Sequence, residues 1–236
     1  MTAPLLFAWL PTIGDRSERA AETSRHWLQP EEQERMERFV RDADRRLFLL
    51  ARFLARGLLA DATQTSPEDW RFELGPHDRP IPRHDAVDPA ATPDCNWSHT
   101  DGLACAVLGT GRVGTDTERL DRRTPTRNPR RFLTAPELQQ CQADDGEIVA
   151  ERFWRIWTLK EAWLKCTGTG VAGGLQSVSL RIDRDEPCFE CGGASNAKLF
   201  EIRPNETHTC AIASNPLPER VSGRTPDSWD HWLRQI

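Results

Sequence analysis

The sequence predicts an α+β protein, because strands and helices follow one another in the same order in both halves of the chain. A short apolar strand (residues 5–10), a long helix (30–60) and further strands precede residue 109. A strand around Val113, a second long helix (151–167) and further strands come after it. With 236 residues and a hydrophobic content of 38%, the chain can bury a substantial core, as one domain or as two halves.

The first half begins with an apolar run that Pro11 closes, and we interpret this run as a buried strand. Residues 16–25 and, more strongly, 30–60 are predicted to be helical. The longer segment has apolar residues at helical spacing, at Phe39, Leu47, Leu50, Leu54 and Leu58. Residues 61–93 are rich in Pro, Asp and His and indicate strand and loop, whereas 103–108 form an unbroken apolar run typical of a buried strand.

The helix predicted over residues 151–167 contains no Gly or Pro and is rich in Leu, Ala, Glu, Lys and Trp. Gly168 follows it as a C-terminal signal. Three strands are predicted beyond the helix, at residues 177–182, 199–202 and 209–213.

Lysine is rare in this chain, and two of its three lysines flank one glutamate on that helix. They are Lys160 and Lys165, on either side of Glu161, and the third is Lys198. Lys carries a compact ammonium that can change its protonation state, whereas Arg carries a permanently charged fork. Glu161 and Lys165 are four residues apart and share a helix face. An ordinary surface ion pair, worth ~0.3–0.5 kcal/mol, would explain this spacing as well as a functional site does.

Two further carboxylates stand upstream, at Asp116 and Glu118, in a segment predicted to be a strand. Residues two apart in a strand point to the same side, so these carboxylates repel each other unless a cation lies between them. A sparse set of hard oxygen ligands suits Mg²⁺, which completes its shell with waters and substrate phosphates. Together with Glu161 and a nearby lysine, the pair describes a site for phosphoryl transfer.

Several elements in a fixed order carry a resemblance to a known family. They are a basic helical region over residues 30–56, Arg79-Pro80 after Gly75, Asn96-Trp97-Ser98-His99-Thr100, Gly114-x-Asp116-x-Glu118, and Trp157-x-x-Lys160-Glu161-Ala162-x-x-Lys165. In these elements the chain resembles the 4'-phosphopantetheinyl transferases, specifically their long, monomeric, surfactin-synthetase-activating type.

The resemblance implies that 4'-phosphopantetheine passes from coenzyme A (CoA) to a serine of an apo carrier protein, with release of 3',5'-ADP and with Mg²⁺ as cofactor. It also implies two similar α/β halves about a pseudo-two-fold axis, each a small, mostly antiparallel sheet packed on a long helix, with CoA at their interface. Residues 1–109 would contact the nucleotide end of CoA, and residues 110–236 would carry the metal and catalytic motifs.

By the same resemblance, Asp116, Glu118 and Glu161 would hold the metal. Glu161 would also take the proton from the serine hydroxyl, directly or through a water on the metal. Lys165 would neutralise charge on the bridging pyrophosphate, and Lys160 would lie nearby in an orienting role.

The resemblance implies further contacts with CoA from the first half of the chain. Ser98 and His99 would contact its 3'-phosphate end, and Arg79 would supply charge there. Arg35 and Arg46 are additional candidates for CoA contact.

The chain departs from the family pattern at three positions. Thr115 and Thr117 stand where apolar residues are usual, so the packing of that strand is expected to be unusual. Glu32 stands where some members have a basic contact to CoA.

A segment after the helix, residues 171–175, resembles a loop that lies next to the substrate in the family.

Charge narrows the class of partner. The formal net charge of −5 argues against binding of nucleic acid, which requires a basic surface. Residues 119–131 nevertheless hold six arginines against one aspartate, with two prolines that indicate a loop. Such a run can be a solvated loop, or it can steer an acidic carrier protein in a transient encounter.

Two expected absences and the cysteine content indicate the compartment in which the protein works. No segment reaches the ~18–20 apolar residues that a membrane span requires, and no signal peptide is predicted at the start. The seven cysteines are odd in number and scattered, which favours a reducing cytoplasm.

Two other functions remain open at this level. One is another Mg²⁺-dependent phosphoryl-transfer enzyme, such as a nuclease or phosphodiesterase, which would leave residues 96–100 and Arg79-Pro80 without a purpose. The other is a non-catalytic relative that binds CoA, which would be expected to have lost an acid or Lys165.

Overall fold

The structure of the chain, a computed structural model, describes residues 5–124, 128–169, 174–218 and 220–224. These residues form two compact units. Unit 1 holds the described residues up to Gly111 together with those after Leu217, and unit 2 holds Arg112–Leu217.

The helices are α1 (Asp15–Trp27), α2 (Pro30–Glu37), α3 (Asp42–Thr63), α4 (Ala135–Cys141) and α5 (Ala150–Thr167). The strands are β1 (Leu5–Pro11), β2 (Arg71–Leu74), β3 (Pro80–Arg83), β4 (Asp94–Thr100), β5 (Leu103–Gly109), β6 (Arg112–Arg119), β7 (Ser179–Asp183), β8 (Glu186–Cys191), β9 (Lys198–Asn205), β10 (His208–Asn215) and β11 (Val221–Arg224). The predicted α+β class is confirmed.

Unit 1 is built on a four-stranded sheet in the order β11-β1-β5-β4, against which α3 packs. Strand β5 is antiparallel to both β1 and β4, and all seven of its residues are buried. The apolar face of α3 supplies the core, with Leu54 and Leu58 completely buried and with Phe53 stacked on Trp27 at 5.3 Å between ring centroids. Strands β2 and β3 form a separate antiparallel hairpin.

The prediction of a single helix over residues 30–60 is wrong, because the helix is interrupted between Glu37, where α2 ends, and Asp42, where α3 begins. The break allows α2 to fold against α3, with Phe39 packed on Phe48 at 5.5 Å. Both ends of the predicted segment are helical, and the interruption depends on contacts that local spacing does not reveal.

Glu32 stabilises the packing of α2 on α3. Its carboxylate accepts hydrogen bonds from Arg52 Nε at 2.9 Å and from Arg56 Nη2 at 2.5 Å. Burial acts to raise the pKa of Glu32, but Arg56 and Arg52 outweigh it and hold that pKa below its usual value. The acid at this position therefore has a role in the fold, and it keeps two arginines of α3 buried in unit 1.

The end of the described chain returns to unit 1, which differs from the expected ranges 1–109 and 110–236. Strand β11 pairs in parallel with β1, with Leu5 opposite Val221 and Phe7 opposite Gly223. Backbone hydrogen bonding along the free edge of β1 explains why this segment belongs with the first residues of the chain.

Unit 2 is built on an antiparallel sheet in the order β6-β10-β9, covered by α5. Leu159, Ala162 and Trp163 of α5 pack in one buried cluster with Ala211 and Ala213 of β10. The β7–β8 hairpin and α4 complete the unit. Each unit thus has a sheet packed on one long helix, as the resemblance implied.

Candidate active site

Asp116 and Glu118 lie on the face of β6 that is turned toward α5. They alternate with Thr115 and Thr117, so the two carboxylates share one side of the strand, as predicted. Strand β6 is paired along its whole length with β10, with Ala211 opposite Asp116. This pairing makes the strand a rigid support for both acids.

Gly114 brings β6 unusually close to α5. A Cβ atom at this position would lie 2.1 Å from Ala162 O and 2.3 Å from Cys166 N, both in the helix backbone. Only a residue without a side chain permits this approach. The glycine of Gly114-x-Asp116-x-Glu118 therefore has a structural role, since it allows the strand that carries the acids to approach the helix closely.

Lys165 bridges the helix and the strand. Its Nζ donates to Asp116 Oδ1 at 2.7 Å and to Thr115 O at 3.1 Å, and its side chain is 29% exposed. The ammonium thus lies next to Asp116, and part of the Lys165 side chain is exposed.

Glu161 lies one helical turn before Lys165 and is only 8% exposed. Among the residues that the structure describes, its Oε1 is buried and has no hydrogen-bond partner. Burial raises the pKa of Glu161 to about 7; Asp116 and Glu118 add to the rise, and Lys165 opposes it. A carboxyl with this pKa exchanges its proton near neutral pH, which is the property a general base requires.

Glu118 is held by a residue that the sequence analysis did not single out. Its Oε2 accepts a hydrogen bond from Arg122 Nη1 at 2.5 Å. The guanidinium of Arg122 lies over the Trp154 ring, 4.7 Å from its centroid. Arg122 belongs to the basic run at residues 119–131, whose Arg119 is likewise paired internally, with Asp121.

The three acids suit Mg²⁺ in their chemistry, because all are carboxylates and one oxygen of Glu161 is buried without a hydrogen bond inside the described part of the chain. In the structure, however, these three carboxylates are not gathered in one close cluster. Across the described ranges, no three side chains of Asp, Glu, His or Cys are grouped closely enough to hold a metal ion. Asp116 contacts Lys165, and Glu118 contacts Arg122.

Lys160 does not lie with Asp116, Glu118 and Glu161, although the resemblance implied that it would lie nearby. Its side chain is completely buried, and its Nζ donates to Glu137 Oε2 at 2.5 Å and to Phe132 O at 3.1 Å. Glu137 also accepts from the backbone N–H groups of Thr134 and Leu180. One position along a helix turns the side chain by about 100°, so Lys160 points to a different neighbour from Glu161.

The spacing Thr134-x-x-Glu137 was a signal that could have identified part of this pair. It forms a capping box at the start of α4. That pattern predicts a helix start, but it does not reveal that the same glutamate meets Lys160.

Thr115 and Thr117 are compatible with a buried strand. Their hydroxyls donate to Ala211 O at 2.8 Å and to Thr209 O at 3.0 Å on the neighbouring strand. The unusual packing expected at these positions therefore consists of two extra hydrogen bonds across β6 and β10.

In unit 1, the predicted site residues lie on β4 and just before β3. Arg79 is buried, and its Nη2 donates to Asp94 Oδ2 at 2.5 Å. Ser98 is half-buried and His99 is exposed on β4, next to the turn into β5. Arg79 is thus oriented by an acid at the other end of β4.

Arg35 and Arg46 differ in their surroundings. Arg35 is exposed on α2. Arg46 is half-buried on α3, where it donates to Thr12 O at 3.3 Å and lies 3.7 Å from Glu18. Their contact with CoA stays a prediction.

Two predicted segments are only partly described. Of the residues 171–175, those at 171–173 lie outside the described residues, as do Pro125 and Arg127 of the basic run. The described members Arg123, Arg130 and Arg131 are exposed.

Comparison with known sequences accounts for both units. The family model described as "4'-phosphopantetheinyl transferase superfamily" matches residues 112–213, and the one described as "4'-phosphopantetheinyl transferase, N-terminal" matches residues 9–109. The chain belongs to the 4'-phosphopantetheinyl transferase superfamily. In this member of the superfamily, the N-terminal match ends at the last residue of β5 and the superfamily match begins at the first residue of β6, which agrees with the division into two units.

Individual relatives of this superfamily member are similar over most of its length. The protein slr0495 of Synechocystis sp. is 34% identical over 154 residues, which cover 64% of this chain and 61% of that protein. The 4'-phosphopantetheinyl transferase HetI of Nostoc sp. is 29% identical, covering 79% of this chain and 78% of HetI. The 4'-phosphopantetheinyl transferase Sfp of Bacillus subtilis is 24% identical, covering 83% of this chain and 87% of Sfp.

Within the described ranges, no helix combines the length and the apolar character needed to cross a bilayer.

Proposed function

We propose that this chain transfers 4'-phosphopantetheine from CoA to a serine hydroxyl of an apo carrier protein and releases 3',5'-ADP. The observation that carries the proposal is the group of Asp116, Glu161 and Lys165, which combines a nearly buried carboxyl of pKa about 7 with an ammonium 2.7 Å from a second carboxylate. Phosphoryl transfer needs both a proton acceptor and a positive charge near the leaving group.

Glu161 is the proposed base. As the serine oxygen bonds to the phosphorus that carries pantetheine, the hydroxyl proton passes to the Glu161 carboxylate. The bond from that phosphorus to the bridging oxygen breaks, and its electron pair leaves with 3',5'-ADP. Glu161 is nearly buried, and its Oε1 accepts no hydrogen bond within the described residues, so this oxygen is available to the proton.

Lys165 is the proposed partner of the leaving group. Its ammonium is held by Asp116 and Thr115, and 29% of the Lys165 side chain is exposed. A positive charge held in place by the fold stabilises the charge that develops on the pyrophosphate oxygens without the cost of reorienting it.

Asp116, Glu118 and Glu161 are the residues that would hold Mg²⁺. When bound, the ion would neutralise phosphate charge during the transfer. The fit rests on three carboxylate donors and on the buried Glu161 oxygen that lacks a hydrogen bond within the described residues.

Arg79, Ser98 and His99 of unit 1 are the proposed contacts to the nucleotide end of CoA, with Arg35 and Arg46 as further candidates. The support is chemical: an arginine oriented by Asp94, a hydroxyl and an exposed imidazole are suitable donors to a phosphate.

The carrier protein is proposed to be acidic. Support comes from the exposed arginines at positions 123, 130 and 131 in a chain whose overall formal charge is −5. Carriers of fatty-acid, polyketide and nonribosomal-peptide synthesis are the classes to test.

The deciding experiment incubates the protein with CoA, Mg²⁺ and a panel of apo carriers of these three classes, and follows carrier mass. We expect at least one carrier to gain the mass of one phosphopantetheine, and the same carrier with its acceptor serine replaced by alanine to gain none. Hydrolysis of CoA or of a phosphodiester without carrier modification would instead support a phosphodiesterase. CoA binding with no reaction would support a non-catalytic relative.

A matched pair of variants tests the role of Glu161. Glu161→Gln should abolish turnover far more severely than it weakens CoA binding, because the base acts mainly in the transition state. Glu147→Gln, an exposed glutamate of the same unit, is the control and should change neither quantity. Equal losses of turnover and CoA affinity in Glu161→Gln would contradict the assignment.

A further inference from the structure

Trp154 contacts both the backbone and the guanidinium of Arg122. Its backbone oxygen accepts a hydrogen bond of 3.0 Å from Trp154 Nε1, and its guanidinium lies over the same ring, 4.7 Å from the centroid. Trp154 is itself buried in the aromatic cluster at the start of α5, with Phe153 at 5.1 Å and Trp157 at 5.8 Å. The arginine is therefore held in place, although nearly half of its side chain is exposed.

In this position Arg122 contacts the carboxylate of Glu118. The 2.5 Å contact between Arg122 Nη1 and Glu118 Oε2 is a charge-assisted hydrogen bond. Glu118 shares the α5-facing side of β6 with Asp116, and its charge contributes to the raised pKa of Glu161. Arg122 thus neutralises one member of an acidic group whose other cation is Lys165.

We propose that Arg122 is an internal counter-ion that competes with the divalent cation for Glu118, and so sets the metal affinity of the site. The inference rests on the proposed function, because it takes Glu118 as a metal ligand. To bind a metal, the Glu118 oxygen must exchange the guanidinium for the ion, and the strength of the Arg122 contact is subtracted from the binding free energy.

Charge balance supports a competition of this kind. Among the described residues, Lys165 contacts Asp116 and Arg122 contacts Glu118, so each of these carboxylates has a cation beside it. Release of Glu118 from Arg122 leaves that carboxylate available to a divalent cation. Holding both cations at one carboxylate would place like charges side by side, which is unfavourable.

The exchange does not require the arginine to leave its anchor. Cation–π contact with Trp154 and the backbone hydrogen bond hold Arg122 independently of Glu118. Rotation of the guanidinium is enough to break the contact with the carboxylate, and the backbone hydrogen bond from Trp154 Nε1 keeps the residue in place.

The test is a titration of the full chain with Mg²⁺ and, separately, Mn²⁺, by calorimetry in the absence of CoA and carrier. Arg122→Gln should bind both ions about 3- to 10-fold more tightly than the original chain. Arg123→Gln is the matched control, since it removes the same charge from an exposed neighbour, and it should change the dissociation constants by less than about twofold.

Arg122→Lys separates the charge from the geometry. A lysine keeps the charge but loses the planar fork and its stacking, so its metal affinity should lie between those of the original chain and Arg122→Gln. Far-UV circular dichroism confirms that each variant is folded. Equal or weaker Mg²⁺ binding by Arg122→Gln than by Arg123→Gln overturns the proposal.

Failure of this inference and failure of the proposed function give different results. If the original chain binds Mg²⁺ and modifies a carrier but Arg122→Gln binds no more tightly, only the competition is wrong. If the original chain binds neither Mg²⁺ nor Mn²⁺, the competition and the assignment of Glu118 as a metal ligand both fail, whatever carrier modification shows.

Discussion

Lys160 Nζ lies 2.5 Å from Glu137 Oε2, and neither side chain has any exposed surface. Burial lowers the pKa of Lys160, and Glu137 opposes this by stabilising the charged form. The glutamate is also bonded to the backbone at Thr134 and Leu180. This ion pair therefore joins α5 to the start of α4 and to β7, and it serves the fold of unit 2.

Replacing one partner of this pair should be costly. Lys160→Met leaves a buried carboxylate without its cation, so the free energy of unfolding should fall by about 3–5 kcal/mol in urea titrations. The double variant with Glu137→Gln should recover part of that loss, because the amide is neutral and can still accept from Leu180. A loss below about 1 kcal/mol for Lys160→Met would contradict the buried pair.

Gly114→Ala should separate β6 from α5. The added Cβ meets the helix backbone at 2.1 Å and 2.3 Å, and backbone atoms cannot move aside as a side chain can. We expect a loss of about 3 kcal/mol in unfolding free energy, the upper part of the range for overpacking. Gly223→Ala is the control, because its Cβ would lie 3.9 Å from Trp9, and it should be tolerated. Equal stability of the two variants would exclude the close approach.

Glu161→Gln should stabilise the protein in a pH-dependent way. The pKa of Glu161 is raised from its ordinary 4.5 to about 7, so between these values the folded state binds the proton more tightly than the unfolded state. The stability of the original chain therefore falls as pH rises through this window, by about 3 kcal/mol in total. The glutamine variant lacks this loss.

Thermal unfolding at pH 4 and at pH 8, in buffer with a chelator, measures the effect. Glu161→Gln should match the original chain at pH 4 and exceed it by about 1–3 kcal/mol at pH 8. Glu147→Gln should follow the original chain at both values. The raised pKa is refuted by a Glu161→Gln variant whose advantage is the same at pH 4 and pH 8.

Lys165→Met should reduce kcat for carrier modification by about 100-fold, which is typical of losing one positioned donor to a developing oxyanion. Lys198→Met removes the one lysine that lies outside α5, and its kcat should stay within about twofold of the original. Lys165→Arg tests whether an ammonium is needed, and we expect it to recover only part of the activity. A Lys165→Met variant with unchanged kcat would remove this lysine from the mechanism.

The sequence alone predicts how most of the proposed catalytic residues are placed within their own elements. Residues two apart on a strand must share a side, which places Asp116 with Glu118. Residues four apart on a helix must share a face, which places Glu161 with Lys165. These relationships follow from backbone geometry within one element, and the structure of β6 and α5 agrees with them.

The relationships that the sequence did not reveal all join separate elements. The packing of α2 on α3 includes the contacts of Glu32 with Arg52 and Arg56, which are 20 and 24 residues away. The parallel pairing of β11 with β1 joins the first and last described residues. Neither contact leaves a periodic signal, because each depends on which surfaces meet after the chain has folded.

Lys160 and Lys165 lie in one helix and illustrate both what the sequence predicts and what only the tertiary structure shows. From the sequence, both lysines flank Glu161 and both are candidates for the chemistry. The strand and helix periods place Asp116, Glu118, Glu161 and Lys165, because short-range sterics alone determine where neighbouring side chains point. Only the tertiary structure decides that Lys160 meets Glu137 and that Arg122 meets Glu118, because such contacts depend on packing between elements.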